Sequence, residues 1–202
     1  MDLRRWAVED ARALVAAFRD PRIRASTALA LDDADAAREW TRTVARQWEQ
    51  GVRYAFAVLA EGEVVGHVVL KGPRPHEAEA EDEAAEDEGR GEGDARDGAG
   101  PGADGGFGAE VGYWTVGAAR GRGIAPRAVR AVTEWAFGLW APSGLDRIDL
   151  LHQVDNPASC RVAGKTGFAH VDMLPPAPPE FPLAGHVHRL SRPGATGTPP
   201  AP

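Results

Sequence analysis

A strand-like run from Glu110 to Val116 leads through Arg120-Gly121-Arg122-Gly123-Ile124-Ala125 into an amphipathic pattern that opens at Pro126. Apolar residues then recur at Val129, Val132, Ala136 and Leu139, the inward stripe of a helix to about Leu139. Strand, tight turn and helix follow from this order, because glycines supply the turn's positive φ and proline suits a first helical turn. The unit calls for a fold mixing helices with a sheet. It also brings a helix N-terminus, with its free N–H groups, beside backbone that lacks Cβ atoms, which is a ready anion site. A phosphate-bearing ligand is expected there.

The rest of the chain alternates in the same way. A helix from about Val8 to Phe18 places Ala11, Leu14, Val15 and Phe18 on one face and stops before Pro21. A second follows the cap residues Asp32 and Asp33, repeats Ala37, Trp40, Val44 and Trp48, and ends at Gly51. Tyr54 to Ala60 and Val64 to Lys71 flank Glu61-Gly62-Glu63 and read as a hairpin. Leu145 to Val154 is a strand, Asn156 to Lys165 a short helix closed by Gly167, and Phe168 to Met173 and His186 to Leu190 are strands. The fold class expected is α/β with a mixed sheet and helices on it.

Charge is concentrated in one place. The chain of 202 residues carries a net −7, yet 11 acidic residues and only two basic ones lie between Glu77 and Asp97. The remaining body is close to neutral, so bulk charge points to neither nucleic acid nor membrane. Residues 72–106 are almost wholly Gly, Ala, Pro, Glu, Asp and Arg, without aromatic or β-branched side chains to bury, and read as a disordered insert. The tail from Ser191 to Pro202 reads the same way, leaving one domain over 1–190. No apolar run would span a bilayer and the start lacks a secretory signal, so a cytoplasmic location is expected. Cys160, the lone cysteine, has no partner for a disulfide.

Known phosphate motifs discriminate further. The pattern G-x-G-x-x-G meets Gly121 and Gly123 but then Pro126, where close helix packing needs the third glycine. Gly164-Lys165-Thr166 ends a helix instead of opening one and has Ser159 at the place of the first Walker glycine. The pattern Arg/Gln-x-x-Gly-x-Gly/Ala is met by Arg120, Gly123 and Ala125. Downstream, Asn156-Pro157-Ala158-Ser159 runs on to Lys165-Thr166-Gly167-Phe168, an asparagine-to-Lys-x-Gly-Phe segment. With Glu110-Val111-Gly112-Tyr113-Trp114, these blocks resemble the GNAT superfamily of acyl-CoA-dependent N-acyltransferases, and most closely its RimJ/RimL branch of ribosomal-protein N-terminal acetyltransferases.

The resemblance implies a mostly antiparallel sheet with one splayed parallel pair, 110–116 and 145–154, and acetyl-CoA in the splay. Pantetheine would add like a strand to the backbone of Trp114, Thr115 and Val116. The pyrophosphate would sit on the amides of Gly121, Arg122, Gly123, Ile124 and Ala125, with no carboxylate intruding and Arg120, Arg122 and Arg127 adding positive charge. Asn156 would bind the pantetheine, or else serve as a helix cap. Glu110 is the candidate base, directly or through water, with an exposed strand-end carboxylate as its ordinary alternative. The tyrosine that many relatives place two residues before the lysine is replaced here by Ala163, so Ser159 is the candidate catalytic donor to the thiolate, or a group that orients the thioester. The acceptor implied is a primary amine, on a protein N-terminus or a small molecule, and a homodimer follows by analogy only. A non-catalytic acyl-CoA sensor and a nucleotide-binding module are the alternatives. His67, His152, His170, His186 and His188 are scattered along the sequence without a nearby carboxylate or cysteine pair, so no metal is expected. Cys160 reads as a packing residue with no histidine placed to activate it.

Overall fold

The computed structural model describes residues 1–27, 29–72, 106–179 and 181–193. The acidic segment and the C-terminal tail lie outside the described residues apart from their edges. In chain order the elements are β1 (Asp2–Arg5), α1 (Ala11–Ala17), α2 (Pro21–Ala25), α3 (Ala34–Glu49), β2 (Arg53–Ala60), β3 (Glu63–Lys71), β4 (Phe107–Thr115), α4 (Ile124–Trp140), β5 (Leu145–Gln153), α5 (Pro157–Lys165), β6 (Ala169–Leu174) and β7 (Gly185–Ser191). The strands form one seven-stranded sheet in the order β1-β2-β3-β4-β5-β7-β6. All neighbours are antiparallel except β4 and β5.

Local chemistry sets most boundaries. Asp33 starts α3 by accepting the N–H groups of Asp35 and Ala36 at 2.9 and 2.8 Å, and Gly51, at φ 71°, lets the chain turn away after it. Glu61 and Gly62, both at positive φ, make the β2–β3 turn. Alternation along β4 sends Phe107, Ala109, Val111 and Tyr113 towards Val129, Val132 and Ala136 of α4. Trp114 points the other way, into a second cluster with Trp6, Leu14, Phe18, Ala37 and Val44 beneath α1 and α3. The sheet is thus covered on both faces, as its near-continuous apolar central strands require.

Four features depart from the sequence reading. β1 is a strand of Asp-Leu-Arg-Arg at the sheet edge, where one partner suffices and no apolar alternation is needed to hold it. Asp20 caps a further short helix, α2, by accepting the Arg22 N–H at 2.9 Å, with Pro21 in its first turn. The proline that ends one helix therefore begins the next. β4 starts at Phe107, ahead of the strand start read at Glu110 and directly after the segment read as an insert. Leu139, expected inward, is 53% exposed, while Trp140 is buried, because the 3.6-residue repeat carries the stripe from Ala136 to 140.

His67 of β3 is buried between Trp6, Trp40 and Trp114 and accepts the Trp6 indole N–H on Nδ1 at 3.0 Å. Burial, helped by the charges of Arg53 and Lys71, pushes its pKa down to about 3. Between pH 6.5 and that value the unfolded chain takes up a proton that the folded chain refuses. Stability complete above pH 6.5 is therefore expected to fall by about 1.4 kcal/mol per pH unit on acidification. Denaturant unfolding at stepped pH would measure this slope, and His67→Asn should flatten it.

Candidate functional site

β4 and β5 pair only at Phe107–Leu145, Gly108–Arg147, Ala109–Ile148 and Glu110–Asp149. β4 nevertheless runs on to Thr115 and β5 to Gln153, each still paired on its outer side, β4 with β3 and β5 with β7. The facing edges of Val111–Thr115 and of β5 beyond Asp149 therefore carry main-chain groups with no strand between them, an opening that an extended ligand can fill.

At the mouth of this fork the chain makes a short 3-10 turn at Gly117–Ala119 and enters α4 through the glycine loop. Gly121 and Gly123 stand at φ 76° and 71°, and Gly123 is the N-cap residue of α4 with no side chain capping the helix. The first-turn N–H groups are thus left for an external acceptor. A Cβ built on either glycine would meet nothing within 4 Å, so the space before the loop is open. The arginines behave differently from expectation. Arg120 is paired with Asp20 at 2.7 Å and Arg122 with Glu61 at 3.0 Å, so carboxylates do reach the loop, brought from the α2 cap and the β2–β3 turn. Arg127 turns back to the Gly123 carbonyl at 3.3 Å.

Glu110 occupies the last paired position of the fork. Lys71, its register partner on β3, donates to its carboxylate at 3.0 Å. On the other side Glu110 faces Asp149, which Arg189 of β7 grips through Nε and an Nη at 2.7 and 2.8 Å. Lys71, Glu110, Asp149 and Arg189 form a row across four strands in which two neighbouring carboxylates each have their own cation. Asp149 holds the Arg189 guanidinium above its usual pKa.

Across the opening stands the start of α5. Asn156 caps it, its Oδ1 accepting the Ser159 N–H at 3.2 Å, so the cap role is occupied and the Nδ2 group remains as donor. Ser159 is buried, and its Oγ lies 3.0 Å from the hydroxyl of Tyr113 on β4. Burial pushes the Tyr113 hydroxyl above the ordinary phenol range, against an opposing hydrogen bond from Ser159. Tyr113 therefore keeps its proton at neutral pH. A tyrosine is present at this end of the fork after all, delivered by β4 instead of α5.

Sequence reasoning placed one of Tyr113 and Trp114 at the acceptor pocket but not Tyr113 against Ser159, and it missed Lys71, Asp149 and the two loop carboxylates. Strand register carries Lys71 and Asp149, and the packing of α5 on β4 carries Tyr113, contacts made across 39 residues from Lys71 to Glu110 and 46 from Tyr113 to Ser159. The histidines were also misplaced. His152, His186 and His188 converge beneath α5, with Cys160 Sγ 3.4 Å from both His152 Nε2 and His186 Nδ1. Cys160 thus has histidine company, because the β5–β7 register sets His152 opposite His186 and α5 lies over both.

Strand order, fork and uncapped glycine loop agree with the acyl-CoA-dependent transferase architecture that the sequence motifs resemble. The chain belongs to the acetyltransferase (GNAT) domain family, which matches residues 1–169. Solved structures share the fold at low identity. RimJ of Mycobacterium smegmatis, in complex with CoA-disulfide, is 17% identical with a TM-score of 0.68 over 94% of this chain and 80% of its own. The ribosomal L7/L12 alpha-N-protein acetyltransferase RimL in complex with coenzyme A gives 15% and 0.69 over 94% and 92%. The microcin C7 self immunity acetyltransferase MccE, in complex with acetyl-CoA and AMP, gives 14% and 0.69 over 94% and 91%. A search of curated protein sequences finds no match. Among the described residues no helix is long and apolar enough to cross a membrane.

Proposed function

We propose that this acetyltransferase moves an acetyl group from acetyl-CoA to a primary amine by direct attack within a ternary complex. The observation that carries the reading is the junction of the fork with the uncapped N-terminus of α4, which offers a strand-like slot ending in an anion site. Pantetheine lies in the slot along Trp114, Thr115 and Val116, and the pyrophosphate meets the amides of Gly121 to Ala125. Arg120 and Arg122 contribute once they exchange Asp20 and Glu61 for phosphate oxygens.

At the closed end of the slot Glu110 takes the proton of the attacking ammonium, directly or through water, so that the free amine adds to the thioester carbonyl. The tetrahedral intermediate collapses by breaking the C–S bond, the nitrogen loses its second proton to water, and the thiolate takes a proton from Ser159. Tyr113 resupplies Ser159 through their hydrogen bond and regains its own proton from solvent. A serine alone is a poor acid, and the relay places the more acidic phenol behind it. Tyr113→Phe and Ser159→Ala are each expected to lower kcat about tenfold to a hundredfold with acetyl-CoA affinity unchanged, and the double variant to be no slower than either single one. Additive losses in stopped-flow measurements would separate the two hydroxyls.

The acceptor we favour is a protein N-terminal amine, because fold similarity extends to RimJ and to RimL, the ribosomal L7/L12 alpha-N-protein acetyltransferase. The test begins with calorimetric titration of acetyl-CoA against NAD. Selective binding of acetyl-CoA, followed by turnover with N-terminal peptides, supports the reading. Binding without turnover on any amine makes the chain a sensor, and preference for NAD overturns the assignment of the loop.

A further inference from the structure

Beneath α5, two strands and the helix bring four ligand-type side chains to one point. His152 comes from β5, His186 and His188 from β7, and Cys160 from α5, and their nearest ligand atoms all lie within 4.8 Å of one another. His152 Nε2 is 3.2 Å from His188 Nε2, and Cys160 Sγ is 3.4 Å from His152 Nε2 and from His186 Nδ1. An ion at about 2.0 Å from nitrogen and about 2.3 Å from sulfur spaces its tetrahedral ligands at about 3.3 Å (N to N) and about 3.5 Å (N to S). Three of the six edges already match to within a few tenths of an ångström, and the others close within 4.8 Å.

A second layer fixes how one ligand presents itself. His152 Nδ1 lies 2.8 Å from the carbonyl of Gln153, so it carries the hydrogen and leaves the Nε2 lone pair facing the cluster.

We propose that His152, Cys160, His186 and His188 form a tetrahedral binding site for a divalent transition-metal ion, zinc by donor set, that staples α5 to β5 and β7. Three imidazoles and one thiolate close the shell, so the ion is structural and the acetyl transfer does not run through it. Binding replaces the Cys160 S–H bond by a metal–sulfur bond and releases that proton to solvent, one per ion. The staple holds the residue next to Ser159, and so steadies the helix on which the candidate donor stands. This inference is independent of the proposed function.

Co2+ added to the chelator-treated full chain is the direct probe, because its spectrum reports both geometry and thiolate ligation. We expect intense visible bands of a tetrahedral ion and a near-ultraviolet sulfur-to-cobalt band, saturating at one ion per chain and bleached by one equivalent of Zn2+. Cys160→Ser should remove the near-ultraviolet band and weaken binding at least tenfold, and His186→Asn should weaken it similarly. His170→Asn, whose ring lies beside His186 and His188 without joining the set, should leave the spectrum intact. The acidic segment between Glu77 and Asp97 could also take cobalt, but through carboxylates, giving a weak octahedral spectrum without a sulfur band. That spectrum alone from the unmodified chain, or a sulfur band that survives Cys160→Ser, would overturn the site. The unmodified chain decides the question even if a variant fails to fold.

Discussion

Gly123→Glu is expected to cost at least a hundredfold in acetyl-CoA affinity while the protein still folds. The two effects separate because of what surrounds the residue. A Cβ at position 123 meets no protein atom within 4 Å, so the loss in stability comes only from holding a non-glycine residue at φ 71°, about 1 kcal/mol. The new carboxylate, however, would sit at the uncapped N-terminus of α4, where a pyrophosphate is proposed to bind, and would both fill the site and compensate the helix dipole. A hundredfold loss corresponds to about 2.7 kcal/mol. Calorimetry on the variant, with thermal unfolding beside it, checks both halves. Full affinity in a folded variant would mean that the loop is only a turn.

Glu110→Gln should lower kcat by about a hundredfold to a thousandfold with acetyl-CoA affinity unchanged, the range for losing a positioned proton acceptor. The carboxylate is well placed for such a test because glutamine preserves its shape and can still accept from Lys71, leaving the row with Asp149 and Arg189 in register. Single-turnover kinetics, rather than the steady state, would show that the lost step is the transfer itself. An unchanged rate across the pH range would remove Glu110 as base. In that case Asp149, its neighbour across the fork and gripped by Arg189, becomes the carboxylate to replace next.

What could be read in the sequence follows the range of the signals. The glycine loop, the caps of α3 and α5 and the β2–β3 turn depend on residues a few positions apart, and each is found where its residues stand. β1 has a charged sequence and is held by pairing alone, which no local pattern announces. The composition of the site is register information. Nothing near Arg120 in the sequence foretells Asp20, and nothing near Cys160 foretells His186, because helix entry angles and strand pairing bring them together. Asn156 shows the reverse: a residue singled out for a ligand is first of all the cap of its own helix.

The short β4–β5 pairing has a mechanical consequence. β1 to β4 make one plate and β5, β7 and β6 another, stitched along a single four-residue seam. Beyond that seam the plates lack the ladder that stiffens an ordinary sheet, and their spacing at the open end is set by whatever lies between them. A pantetheine seated there would act as a spline, carrying hydrogen bonds from one plate into the gap and turning two compliant sheets into one rigid one. Rigidity at that end is then a property of the complex, and each release of product gives the compliance back.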